Sequence, residues 1–265
     1  MSHFSVLVTK TQERDVESQL ERFYEQGEDG DYFMKHQIEV AAEDVESEAR
    51  HLLSDRIKNN GVLDKLVVKY QHSVDEGDFE AIVQDWNGGG WDDDGNLYYL
   101  SNPDAKWDWY QVGGRWTGTF KKKPGADGEV GEPSVFDNKP KEGYADIVKV
   151  GDIDWDGMKA DALARANELW AAYEEDQKKP EAERKHPYLD FGIERDETKE
   201  HYLAKHGSFA TFAVLHDDEW IERGSMGGWG AVSDEQVPVA WDKSFRKIID
   251  SLDTEDEVTV VDCHI

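Results

Sequence analysis

The sequence predicts an α+β fold with a ferredoxin-like core, in which helices pack on one sheet. Apolar, strand-like runs occur near both ends of the chain, at Phe4–Val8 and Val258–Ile265. A hairpin pattern and an amphipathic helix precede the second run, within 211–252. Strand-like segments are buried only when they find partners in a sheet, so we expect Phe4–Val8 and Val258–His264 to lie in one sheet.

The first part of the chain mixes helical and extended patterns. Apolar residues at helical spacing predict helices over Glu13–Tyr24 and Ala42–Lys58. A run rich in valine and leucine predicts a strand over Leu63–Tyr70. Together with Phe4–Val8, this gives the order strand, helix, helix, strand.

Residues 86–150 form a centre rich in tryptophan and glycine. We expect it to be an inserted subdomain or an extension of the sheet within a single domain over 1–265. Leu97–Leu100 is predicted to be a short strand. Lys121–Lys149 is rich in glycine, proline and lysine with little periodicity, so it is predicted to be an exposed excursion or linker.

The C-terminal part has the clearest patterns. A long helix is predicted from an N-cap at Asp154 to about Lys178, and a shorter one over Glu197–Lys205. Two strand-like runs that flank His216–Glu219 predict a hairpin. An apolar stripe then predicts a helix over Ala240–Leu252 before the final strand.

Composition limits the function classes. The chain has 59 acidic and 30 basic residues and a net charge of −29, which disfavours duplex nucleic acid and anionic membranes as partners. No apolar run reaches the ~20 residues of a membrane span, and the start lacks the basic region of a signal peptide. The single cysteine, Cys263, excludes an intrachain disulfide and fits a reducing cytoplasm.

One basic, aromatic segment contrasts with the acidic chain. Between Asp104 and Lys123 there are five basic and two acidic residues, a local balance of +3. Tryptophan and tyrosine rings can stack a base, a guanidinium can bind phosphate, and glycines let backbone amides approach an anion. This combination predicts a site for a nucleotide-like ligand. Its candidate binding residues are Trp107, Trp109, Tyr110, Gly113, Gly114, Arg115, Trp116 and Lys121.

A packing role for the same residues is the alternative. Trp107, Trp109 and Trp116 would then form the buried face of a strand pair, and Arg115 would pair with a core carboxylate. A second glycine–tryptophan segment, Gly224–Gly230, is either a loop beside the same pocket or a tight turn beneath a packed ring.

Motifs for metal binding and catalysis are sparse, and no cofactor or metal is predicted. His3, Asp262 and His264 come nearest to a metal-ligand set, because they would share a face if the terminal strands pair. The aspartate run that begins at Asp92 lacks the glycine and glutamate of an EF-hand. Nucleophile-elbow, Walker, Rossmann and zinc-protease motifs are absent from the sequence.

Four segments together resemble a family of uncharacterised proteins of bacteriophages and prophages. They are Met1–Phe4, Lys106–Gly118, Arg223–Gly230 and Val260–Ile265, which span both ends and the middle of the chain. The resemblance implies a phage gene product that acts in the cytoplasm of a bacterial host. It assigns no activity and no catalytic residue.

Three function classes follow from these observations. The first is a binding protein that counters the host by sequestering a nucleotide-like small molecule or a host defence protein with a basic surface. The second is an enzyme acting on a nucleotide or phosphate ester, with His3 and His264 as candidates. The third is an acidic nucleic-acid mimic that occupies a DNA-binding host enzyme. The sequence does not fix the oligomeric state.

Overall fold

The computed structural model of the chain confirms the α+β class. It describes residues 2–10, 15–25, 34–37, 44–87, 89–91, 97–134, 141–227 and 231–265. The chain forms two compact units, one of Met1–Arg22 with Lys106–Ile265 and the other of Phe23–Ala105. One boundary between the units, at Ala105 and Lys106, falls inside the tryptophan-rich centre.

The described strands and helices are labelled in chain order. They are β1 (His3–Lys10), α1 (Val16–Glu21), β2 (Met34–Gln37), α2 (Val45–Asn60), α3 (Lys65–Glu76), α4 (Phe79–Asn87), β3 (Gly89–Trp91), β4 (Leu97–Ser101), β5 (Trp109–Gly114), β6 (Phe120–Lys121), β7 (Glu132–Pro133), β8 (Tyr144–Ala145), β9 (Ile147–Lys149), α5 (Trp155–Asp176), α6 (Pro187–Phe191), α7 (Lys199–His206), β10 (Ala213–His216), β11 (Glu219–Glu222), β12 (Ser225–Met226), β13 (Val232–Ser233), α8 (Pro238–Ser251) and β14 (Glu257–His264).

The main sheet joins the two ends of the chain, as predicted. Its strand order is β11-β10-β1-β14-β5-β7, and β9 also pairs with β14. Strands β1 and β14 are antiparallel along their whole length, from His3 opposite His264 to Lys10 opposite Glu257. Strands β1 and β10 are adjacent and parallel. In a ferredoxin-like split βαβ unit, a third strand lies between the two parallel strands. Because the parallel strands β1 and β10 are direct neighbours here, the connectivity differs from the ferredoxin-like one.

One face of this sheet carries the core of the first unit. Alternation along β1 and β14 places Leu7, Val258 and Val260 on the same face, where all three are fully buried. They belong to one apolar cluster with Phe245 and Ile249 of α8. Burying such a side chain contributes about 1.5–3 kcal/mol, so this cluster is a main source of stability.

The second unit contains a helical cluster where a strand was predicted. The predicted strand Leu63–Tyr70 is wrong, because α3 occupies most of it. Asp64 caps this helix by accepting hydrogen bonds from the backbone N–H groups of Leu66 and Val67. The buried residues Val67 and Tyr70 are three positions apart, so the apolar run has helical rather than alternating periodicity.

The tryptophan-rich centre is shared between the units. Its first part, up to Ala105, belongs to the second unit. Strand β5 extends the main sheet, and a sheet extension was one of the two alternatives predicted. The predicted linker at 121–149 contains the short strands β7, β8 and β9 and thus has regular structure. The aspartate run 92–96 and residues 228–230 of the second glycine–tryptophan segment lie outside the described residues. No helix in the described ranges combines the length and apolarity of a membrane span.

Candidate functional site

The residues of the predicted nucleotide site are distributed over several places. Trp107 is buried, and its Nε1 donates a hydrogen bond to the backbone oxygen of Leu20 at 3.0 Å. The ring of Tyr110 meets it edge to face, with 5.0 Å between ring centres. Burial raises the pKa of Tyr110. The packing alternative therefore describes Trp107 and Tyr110 better than ligand stacking does.

Gly113 and Gly114 lie against buried carboxylates of the protein itself. Both have positive φ angles, +78° and +52°. A Cβ atom at Gly114 would lie 2.4 Å from Oδ2 of Asp262, and one at Gly113 would lie 2.9 Å from Oδ2 of Asp146. Glycine is therefore required at both positions.

The backbone amides of this turn bind the same two carboxylates. Asp146 accepts hydrogen bonds from the N–H groups of Gly118 at 2.7 Å and Gly131 at 2.9 Å. Asp262 accepts one from the N–H of Arg115 at 2.9 Å. Burial raises the pKa of Asp146, and its amide hydrogen bonds oppose that shift. The sequence predicted that the amides of Gly113 and Gly114 approach an anionic ligand, whereas the carboxylates of Asp146 and Asp262 are bound by neighbouring amides and lie against these two glycines.

The three residues nearest to a metal-ligand set are brought together at one end of the sheet. His3 and His264 are cross-strand neighbours, with 5.0 Å between ring centres. Nδ1 of His3 lies 2.8 Å from Oδ1 of Asp262. Trp109, which is 48% exposed, stands beside the His3 ring. The described parts of the chain contain no group of three or more His, Cys, Asp or Glu residues arranged to hold a metal.

A separate cavity of about 610 Å³ opens to solvent in the first unit. It lies where the main core, represented by Met158, adjoins a smaller cluster around Trp170. This volume falls within the range of about 300–1,000 Å³ that is typical of small-ligand sites. Its wall includes four aromatic side chains, which are Trp116, Tyr144, Tyr202 and Phe209. Arg115 is not part of this wall, whereas Trp116 is.

Two basic side chains of the cavity wall form no ion pair within 4 Å of a described acidic residue, although the charge of Arg165 contributes to the lowered pKa of Asp161. Lys141 and Arg165 form no ion pair with another described residue, although Nζ of Lys141 lies 5.9 Å from the centre of the Tyr144 ring. By contrast, Nζ of Lys121 donates to Oδ2 of Asp161 at 2.7 Å. This ion pair raises the pKa of Lys121 and lowers that of Asp161, which also faces the cavity. Lys121 thus neutralises the carboxylate of Asp161, which belongs to the cavity wall.

His206 adds a titratable group to the cavity wall. Its ring packs against that of Tyr202 at an angle of 44°, with 4.5 Å between centres, and burial lowers the pKa of His206. Tyr202 is fully buried, and its hydroxyl donates to the backbone oxygen of Phe191 at 2.9 Å. A neutral imidazole can donate one hydrogen bond to a ligand and accept another.

Sequence reasoning found only part of this cavity. Trp116 was a candidate, but Lys141 and Tyr144 fell in a segment that was interpreted as a linker. Arg165 occupied a polar position of the predicted long helix. Only the folded chain brings these residues together with His206, because they come from sequence positions up to 90 apart. No local motif marks them.

Comparison with known proteins adds no relative, since no family model, curated protein or solved structure matches the chain.

Proposed function

We propose that this protein binds a nucleotide-like small molecule in the cavity of the first unit. The observation that carries the proposal is the pair Lys141 and Arg165, basic groups without an ion-pair partner among the described residues, on the wall of a cavity of about 610 Å³. Other exposed basic residues, such as Lys159 and Arg195, also form no ion pair with a described residue. What distinguishes Lys141 and Arg165 is that both lie on the wall of one cavity, where an anionic ligand can reach the two charges together.

The rest of the wall supports an aromatic ligand. Trp116 and Tyr144 are half-buried, so each offers part of a ring face to the cavity. Stacking a base on such a ring contributes ~1–3 kcal/mol. Arg165 can form two parallel hydrogen bonds to a phosphate, and Lys141 supplies a second positive charge. A ligand with a planar base and one or more phosphates uses all of these groups.

The biological setting of this binding is part of the proposal. If the chain is a phage product, as the sequence resemblance implies, sequestering a nucleotide-like host signal in the bacterial cytoplasm would counter a host function. The other candidates are an enzyme on a phosphate ester, capture of a basic host protein, and nucleic-acid mimicry. Each predicts a different fate for the ligand, and the experiments below separate them.

The first experiment measures nucleotide binding. Calorimetric titration with mono-, di- and cyclic nucleotides should give at least one ligand with one site per chain. The double variant Lys141→Ala/Arg165→Ala should lose tenfold or more in affinity, with an unchanged melting temperature because both side chains are exposed. The matched control is Lys159→Ala/Arg195→Ala, which removes two exposed charges outside the cavity wall. Equal losses in both double variants would contradict a cavity site.

The second experiment identifies the function class. The tagged protein is recovered from bacterial lysate at low and high salt, and heat-released small molecules are identified by mass spectrometry. An intact nucleotide retained at high salt supports sequestration, since a partly dry pocket is screened less than an exposed surface. A chemically altered nucleotide indicates an enzyme. A basic protein that is lost at high salt indicates a protein inhibitor or mimic.

A further inference from the structure

The end of the main sheet holds two carboxylate–histidine pairs side by side. His3 on β1 and His264 on β14 are directly opposite each other, and the planes of their rings are inclined at 73°. Both side chains are mostly buried, with exposures of 15% for His3 and 13% for His264. This place is distinct from the cavity, whose wall includes neither histidine.

Each histidine uses the same nitrogen for its carboxylate. Nδ1 of His3 lies 2.8 Å from Oδ1 of Asp262, and Nδ1 of His264 lies 2.5 Å from Oδ1 of Asp108. A carboxylate accepts hydrogen bonds, so these contacts assign the proton of each neutral ring to Nδ1. The lone pair is then on Nε2 of both rings. Histidine ligands of metal ions have this arrangement, in which a carboxylate fixes the tautomer and the orientation of the ring.

Nε2 of His264 is buried and has no hydrogen-bond partner among the residues that the structure describes. Buried polar atoms nearly always have a partner, and a native exception calls for a bound water or ion. The same ring has its other nitrogen fully satisfied by Asp108, so a simple rotation would sacrifice that contact. The orphaned atom therefore points to a ligand that accepts an imidazole lone pair.

The distance between the two ring centres matches that of two histidines that share one ion lying in both ring planes. With a metal–nitrogen distance of about 2.1 Å, each ring centre would lie about 3.2 Å from the ion. Ring centres 5.0 Å apart then subtend about 100° at the ion, between the octahedral angle of about 90° and the tetrahedral angle of about 109°.

The surroundings hold the pair in place. Asp262 is fully buried, and its second oxygen accepts the N–H of Arg115 at 2.9 Å, while Gly114 packs directly against it. The His3 ring is therefore held by a carboxylate that is itself fixed at both oxygens. A site whose ligands are oriented before binding loses less freedom when the ion arrives.

We propose that His3 and His264 bind one divalent transition-metal ion of the zinc type through their Nε2 atoms. Asp262 and Asp108 are positioning residues that hold the two rings. Imidazole favours zinc and its neighbours in the first transition row, whereas Mg²⁺ and Ca²⁺ prefer oxygen ligands. Two protein ligands leave the remaining coordination positions to water or to a substrate, as in an open site.

The test is calorimetric titration of the chelator-treated full chain with Zn²⁺ in excess Mg²⁺, which occupies the many surface carboxylates. We expect one zinc ion per chain at this site. His3→Gln and His264→Gln should each abolish it, and Asp108→Asn should weaken zinc binding about 10- to 100-fold with the stoichiometry retained. The matched control is His201→Gln, because His201 also contacts a carboxylate, that of Glu197 at 2.9 Å, but is 54% exposed.

A second measurement on the unaltered chain covers the case in which a variant fails to fold. Diethyl pyrocarbonate modifies accessible imidazoles, and peptide mass spectrometry locates the adducts. Zinc should protect His3 at least fivefold relative to His201, whereas the buried Nε2 of His264 is expected to react little in either state. Equal modification of His3 with and without zinc would overturn the proposal, as would zinc binding that is unchanged in the His3→Gln variant or lost in the His201→Gln variant.

Discussion

Asp146 illustrates how one buried residue organises a turn that looked like a ligand loop. Its two oxygens accept backbone hydrogen bonds from Gly118, Thr119 and Gly131. The sequence analysis assigned the neighbouring amides of Gly113 and Gly114 to an anionic ligand. In the structure the groups that lie closest to these two glycines include the side chains of Asp146 and Asp262. What the sequence could not reveal is the approaching group, because Asp146 follows some 30 residues later.

We expect Asp146→Asn to destabilise the protein by about 1–3 kcal/mol, because an amide NH₂ would replace an oxygen that accepts a backbone N–H. The measurement is urea denaturation. Burial raises the pKa of Asp146 from its ordinary value of 3.8, so the contribution of this residue to stability declines as pH rises through its folded pKa. The deficit of the variant should therefore be larger at acidic than at neutral pH. A deficit that grows with pH would contradict a raised pKa.

At the scale of elements, the termini were the most predictable part of the fold. Short, mostly apolar runs at both ends require burial, and β1 and β14 satisfy this requirement by pairing with each other. The long helix α5 was also predictable, since Asp154 accepts the N–H of Gly157 as an N-cap should. Helix α3 was not predictable, because its β-branched residues favour strands in general. The helical period becomes visible only in the structure, where Val67 and Tyr70 are both buried.

Deleting residues 258–265 should prevent folding of the first unit. The deletion removes the strand that pairs with β1, β5 and β9 and exposes Leu7 and Phe245 of the core. We expect loss of the native circular dichroism spectrum and of a cooperative melting transition. The control is Glu257→Ala at the edge of β14, which removes only an exposed ion pair with Lys10. A soluble truncated chain with a native spectrum would show that β14 is dispensable.

At the scale of the whole molecule, the excess of acidic residues is the dominant feature. With a net charge of −29, the acidic side chains repel one another when the chain is compact. The described exposed ion pairs, such as Lys149 with Glu255, contribute only about 0.2–1 kcal/mol each and do not offset this repulsion. Composition predicted this surface, but it could not place the two basic groups of the cavity, which depend on tertiary contacts.

Added salt should therefore stabilise the protein. Screening weakens repulsion between exposed charges that are separated by more than the Debye length, ~8 Å at physiological ionic strength. We expect the melting temperature to rise by a few degrees as sodium chloride increases from low to physiological concentration, with potassium chloride giving the same rise. A melting temperature that falls with salt would mean that the ion pairs outweigh the net repulsion. Differential scanning calorimetry is the measurement.

The pairing of β1 with β14 also determines when the sheet can assemble during synthesis. His3 leaves the ribosome early, but its partner His264 is added 261 residues later. At a synthesis rate of about 5–20 residues per second, the interval is roughly 13–50 s. During it, β1 lacks its antiparallel neighbour, and its apolar residues Val6, Leu7 and Val8 can be bound by chaperones. The first unit is therefore expected to complete its sheet only after β14 has emerged from the ribosome.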